Sequence, residues 1–167
     1  DDEGRILPYL HKARERGVIF DVGHGGGSFY WRNAVPATEQ GFYPDSISTD
    51  LHTKNMNEDM LDMVTVMSKF LIMGMPLYEI IRASTINPAS QIGHRELGHL
   101  SIGTHADIAG LKISDGDFGY TDVASGLLRG NKRITCELTL KDGIVMWDWN
   151  GRIGVDYKTL ENYLLLT

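Results

Sequence analysis

The sequence has a single cysteine, Cys136. No disulfide can close within it, and a reducing cytoplasm is the expected setting. It also has no apolar stretch of the roughly 18 residues that a membrane span requires. The longest apolar region, residues 60–75, is broken by Asp62, Thr65, Ser68, Lys69 and Gly74, so no membrane is expected as a partner. Basic runs are missing as well. Sixteen Lys and Arg stand against 22 Asp and Glu, for a formal net charge of -6. Binding a nucleic acid needs clustered cations to neutralise phosphates, and that class of partner is set aside. There is no internal repeat and no low-complexity tract. What remains is an ordinary globular composition, 42% hydrophobic and 23% charged. At 167 residues the chain suffices for one sizeable domain or part of a larger one.

Two textures follow one another. The first alternates helix and strand. Ile6, Leu7, Leu10 and Ala13 recur at helical spacing, and Gly17 follows basic residues as a stop signal. Residues 18–22 read as a strand buried on both faces, the parallel-sheet type. A helix is expected over 33–40, with Pro36 in its first turn and Gly41 closing it. A second short strand is expected over 45–52. The distance between the two strands matches one βαβ unit, which makes them parallel neighbours. Asn57, followed by Glu58 and Asp59, is a good start for a helix running to about Met73. It is apolar on nearly every side, so burial is expected. Pro76 opens another helix that should stop before Asn87-Pro88. From Leu97 the chain turns to short strands and glycine turns. Strands are expected over about 99–113 and 134–149, the second folded at Asp142-Gly143 as a tight hairpin. The implied division is an α/β segment over 1–90 and a small β-subdomain over 91–167.

Chemistry concentrates at two strand ends. "VIFDVGHGGGSF" places His24 after the first strand and before three glycines. In α/β folds the C-terminal strand ends form the ligand crevice, and glycines let a ligand approach the backbone closely. The alternative reading is a turn histidine satisfied by backbone. Phosphate binding is a weaker reading, because the loop lacks P-loop spacing, the P-loop Lys and a complete G-x-G-x-x-G. Asp50 holds the equivalent place on the second strand. A carboxylate there can bind a metal or move a proton; it could also be a cap or a loop acid. Strand alternation groups it with Ser48 and His52. His11, His94, His99 and His105 read as structural or solvent-facing. "DGDFGYTD", residues 115–122, reads as a surface loop, since the terminal glutamate of a calcium loop is missing. Trp147 and Trp149 alternate on a strand and are expected to pack.

Residues 86–111, "INPASQIGHRELGHLSIGTHADIAGL", resemble the C-terminal signature of the metal-dependent amidohydrolase superfamily. "FDVGHGGGSF" and "PDSISTDLH" resemble the ends of barrel strands seven and eight in its dihydroorotase-like and deacetylase branch. The resemblance implies an α/β fold: the C-terminal portion of a (β/α)8 TIM-type barrel with a small all-β subdomain. It implies one or two divalent metal ions, zinc foremost, at the barrel mouth. Among the family's ligands only the strand-eight aspartate has a match, Asp50. The sequence contains no His-x-His, the family's strand-one ligand pair. Asp50 is thereby the implied catalytic and metal-binding residue. His24, Gly25, Gly26, Ser28 and His52 are the implied substrate-side residues, with the His24 ring facing the active-site mouth.

The expected activity is metal-dependent hydrolysis of a small-molecule amide, by deacetylation of an N-acyl amino or hydroxy acid or by opening of a cyclic amide. The expected chain is a C-terminal part of that enzyme, inactive alone and prone to self-association as a homo-oligomer through apolar faces that have lost their partners. The rival is a catalytically silent dihydroorotase-like homologue with an assembly role.

Overall fold

The computed structural model describes residues 1–53, 55–56 and 62–160. Two compact units emerge, Asp1–Thr104 with Ile113–Thr135, and His105–Lys112 with Cys136–Thr167. The change of texture near Ser90 marks where helices give way to strands, whereas these units are defined by contact.

In the first unit α1 (Pro8–Glu15) starts on a proline and ends before Gly17, whose φ of 88° suits only glycine at low cost. Next come β1 (Asp21–Gly23), α2 (Trp31–Glu39) and β2 (Ser46–Ser48). The two strands pair in parallel, with Val22 opposite Ile47 and Gly23 opposite Ser48. The expected βαβ unit is present, but two of its details differ. Strand β1 covers only the end of the apolar run. Val18 and Ile19 are 47% and 54% exposed, not buried on both faces, because a two-stranded sheet offers no layer to cover them.

Helix α2 begins at Trp31 rather than Asn33, and Pro36 sits in its interior. The early start is stabilised from far along the chain. The Trp31 amide donates to the Asp122 carboxylate at 3.0 Å, satisfying one of the orphan donors of a helix N-terminus.

The start expected at Asn57, with Glu58 and Asp59, lies outside the described residues. The described helix α3 (Met63–Ile72) is capped by Asp62, whose carboxylate accepts from the Thr65 amide at 2.8 Å. It is deeply buried, as its composition requires: Val66, Met67, Ser68, Lys69 and Phe70 are all inside. Helix α4 (Leu77–Ser84) follows Pro76 as expected. It stops before Asn87-Pro88 as expected, and the chain then forms a separate short helix, α5 (Ile86–Gln91), that the sequence reading did not anticipate. Pro88 is its third residue, where a backbone N–H has no intrahelical partner to lose. The core of this unit gathers Phe29, Ile47, Val66, Met67, Phe70, Met75 and Ile80. Among the described residues no helix is long and apolar enough to cross a membrane.

Strands β3 (Ile108–Thr121), β4 (Leu127–Lys141) and β5 (Ile144–Asp148) form one sheet in the order β3-β4-β5. The first two are long and contribute residues to both units. Residues 99–107 are not strand. Most of the supposed loop at 115–122 is strand instead, with Asp115 and Asp117 paired to Lys132 and Arg129 of β4 at 2.7 and 3.2 Å. Asp115 and Asp117 lie on the outward face of that strand, whereas Asp122, just beyond its end, is buried. The hairpin at Asp142-Gly143 forms as expected, with φ of 51° and 79°, the two left-handed residues of a type I′ turn. Trp147 and Trp149 do not pack: both are more than half exposed, because β5 is the outer strand of the sheet.

Candidate active site

The ladder between β1 and β2 continues past the strands. The His24 amide donates to Ser48 O at 3.2 Å and the Gly25 amide to Thr49 O at 2.9 Å. His24 and Asp50 therefore stand at the same end, the C-terminal one. Both Gly25 and Asp50 adopt left-handed conformations, with φ of 50° and 49°. A Cβ on Gly25 would lie 2.7 Å from Asp50 Oδ2. Backbone conformation and close approach thus both require glycine there.

The Asp50 side chain is exposed, and among the described residues nothing donates to its carboxylate. A Cβ on Gly23 would lie 3.5 Å from Ser48 Oγ and 4.0 Å from Asp50 Cβ, so Ser48 and Asp50 flank the same position of the neighbouring strand. His52 is also exposed; its Nδ1 lies 2.8 Å from the Asp50 carbonyl. Buried Asn55 stitches this turn, accepting from the His52 amide at 2.8 Å and donating to Asp50 O at 3.0 Å. Asn55 was not singled out by sequence reasoning, and nothing in the polar stretch "HTKNMNED" marks it.

His24 is placed differently from the expectation. Its ring is fully buried, at 0% exposure, and stacks on Phe29 with centroids 4.5 Å apart. Nδ1 lies 2.8 Å from Gly25 O, and Nε2 lies 2.6 Å from the Lys69 ammonium. The ring does not face an open mouth, because both nitrogens are engaged inside the protein. Of the two sequence readings, the backbone-satisfied histidine describes it better. Gly26 and Ser28 are exposed on the loop that follows. Ser28 also borders an apolar cavity of about 230 Å³ lined by Phe20 and Val22 on the β1 side and Ala34 and Ala37 of α2. Asp50, His24 and His52 do not line it.

Lys69 was also overlooked. It too is 0% exposed, and it donates to Thr121 O at 2.6 Å. Its neighbour Asp122 is nearly as buried. Burial alone would push the Asp122 carboxyl up. The amides of Trp31, Gly126 and Ala124, together with the Lys69 charge, outweigh that and hold it below the usual carboxylate range. A group lowered on folding stabilises the protein above its unfolded pKa of about 3.9 and loses that contribution as pH falls through the folded value. Asp122→Asn is therefore expected to cost about 1–2 kcal/mol at neutral pH. The gap to the parent should narrow as pH falls from the unfolded value of about 4 toward the lower value of the folded carboxyl. Urea denaturation at pH 7 and pH 3 measures both values, and a gap that stays constant would remove Asp122 from the acid limb.

Residues 31–145 match the profile of the Amidohydrolase family. A deacetylase of Brucella anthropi is 42% identical over 127 residues, covering 76% of this chain and 32% of that protein. Among solved structures, an adenine deaminase superposes with a TM-score of 0.81 at 31% identity, covering 86% of this chain and 39% of that one. A dihydroorotase superposes with a TM-score of 0.76 at 33% identity, covering 85% and 39%. The chain spans about a third of the length of the curated relatives it matches.

Proposed function

The chain belongs to the amidohydrolase family, and from that premise we propose that it is the C-terminal portion of a metal-dependent barrel enzyme that hydrolyses the C–N bond of a small-molecule amide. The substrate class is an N-acyl amino or hydroxy acid, or a cyclic amide, in line with the deacetylase and dihydroorotase among its relatives. The observation that carries this reading is the exposed Asp50 carboxylate at the C-terminal end of a parallel strand, braced against Gly25 at the same end of the neighbouring strand.

A carboxylate with no donor among the described residues suits one position on a divalent cation, zinc foremost. One carboxylate is not a site. The described residues gather no three His, Cys, Asp or Glu side chains, and a catalytic zinc takes three protein ligands. The other ligands of the one or two ions come, in this reading, from the rest of the barrel. When bound, such an ion lowers the pKa of water and polarises the substrate carbonyl. Asp50 takes a proton from the attacking water on a carboxylate oxygen, then hands it to the leaving nitrogen. The exposed Gly26, Ser28 and His52 form the substrate-facing rim. Gly25 leaves room for the Asp50 carboxylate, and His24 acts through the loop rather than on substrate.

After dialysis the 167-residue chain is expected to retain far less than one equivalent of zinc and to leave N-acetyl amino acids intact. The same segment in a full barrel should hold metal stoichiometrically and hydrolyse them or a cyclic amide. Turnover with stoichiometric zinc from the chain alone would overturn the reading as a portion. A metal-loaded barrel inert toward both amide classes would overturn the activity.

A further inference from the structure

Lys69 is a charge that the proposed reaction does not use. It sits in the middle of α3 with no exposure to water. An ammonium in that position persists only with partners. Its partners include His24 Nε2 and Thr121 O, both at 2.6 Å, and the ring faces of Phe29 and Trp31 at 5.3 and 5.6 Å.

The bonding fixes the His24 ring from both ends. Gly25 O can only accept, so Nδ1 carries the proton. The Lys69 ammonium can only donate, so Nε2 is bare. The Nδ1 proton ties down the Gly25 peptide. That is the peptide whose Cα lies so close beneath Asp50 that a Cβ would stand 2.7 Å from its Oδ2.

We propose that Lys69 is a positioning residue for the candidate site: through the His24 ring it sets the Gly25 peptide, and the Gly25 peptide sets where the Asp50 carboxylate stands. The kinetic consequence rests on the hydrolase reading above; the structural chain from Lys69 to Asp50 does not. Removing the ammonium leaves Nε2 without its donor, frees the ring to exchange its proton between nitrogens, and loosens the turn under Asp50. Outer-sphere partners of this kind commonly govern how well a reacting group is aimed.

The test begins with the 167-residue chain labelled with ¹⁵N at histidine and ¹³C at the aspartate carboxyls. In the parent, His24 should show a protonated Nδ1 and an unprotonated Nε2. A proton on Nε2, alone or together with Nδ1, would overturn the proposal before any variant is made. In Lys69→Met the single-tautomer pattern should give way to a mixture and the Asp50 carboxyl resonance should move; an unmoved pair of signals would overturn it. In the full barrel, Lys69→Met should lower kcat by about 10- to 100-fold with little change in KM. Should that variant fail to fold, two others decide. His24→Asn can place an amide N–H where Nδ1 stands, and it should retain more kcat than His24→Leu; equal losses would overturn the proposal. If the parent barrel hydrolyses no amide, the hydrolase reading falls, while the histidine and Asp50 signals still decide the role of Lys69.

Discussion

Asp50→Asn in the full barrel is expected to lower kcat by about 10²–10⁴-fold, the usual worth of a proton transfer in the transition state. The fold should be untouched. Asn matches Asp in shape, and the φ of 49° at this position suits it, since Asn is among the few residues that visit the left-handed region readily. The Asp50 carboxylate is exposed and receives no hydrogen bond among the described residues, so no native bond is lost. What the amide cannot do is accept the water's proton or bind a hard cation as a carboxylate does. Steady-state kinetics beside thermal denaturation separates the effects. Parental kcat in Asp50→Asn would take Asp50 out of the reaction, and a large fall in melting temperature would assign it a structural role instead.

The largest stability effect is expected at Gly98, within the signature that carried the family resemblance. Its φ is 76°, and a Cβ there would lie 2.7 Å from Thr85 C and O and 2.8 Å from Ile86 N. These are backbone atoms at the junction of α4 and α5, so no side chain can rotate away. Gly98→Ala combines a left-handed penalty of about 1–2 kcal/mol with overpacking of about 1–3 kcal/mol. A loss of about 10 °C in melting temperature follows for a chain of this size. Gly103 provides the control: its φ is 92°, but nothing lies within 4 Å of its Cβ position. Gly103→Ala should show only the smaller, conformational part. Equal losses at the two sites would mean that the Thr85 contact contributes nothing.

The place of Asp50 just past the end of a parallel strand was readable because its signal lies in a contiguous pattern. The same holds for the Asp142-Gly143 turn, whose two residues specify their own geometry, and for the parallel pairing of β1 and β2, which the chain length between them implies. Readings failed where a partner far away in sequence decided the outcome. Lys69 looked like an interruption in an apolar helix, yet its ammonium is satisfied by His24 and Thr121. His24 looked like a ligand-facing ring because a strand end and three glycines flank it; the ammonium that occupies its Nε2 lies 45 positions away. The apolar run at Val18 and Ile19 looked like core, but apolar sequence records a demand for cover and does not supply it. Where a long, isolated lysine interrupts an otherwise buried helix, the sequence does hold a hint, namely that something polar must be waiting for it.

The cap on α2 also bears on the order of events as the chain folds. The βαβ unit looks self-contained and fast to form, since its strands lie close in sequence. Yet the first amide of its helix is held by a carboxylate 91 residues downstream, and the Trp31 indole donates to Gly126 O at 2.8 Å, 95 residues away. Contacts of that separation carry a large loop-closure cost and come late. The long-range cap on the first turn of α2 is therefore expected to form only when the connection between β3 and β4 closes onto it. A chain emerging in sequence order would carry α2 without this cap until residues 122–126 had followed it.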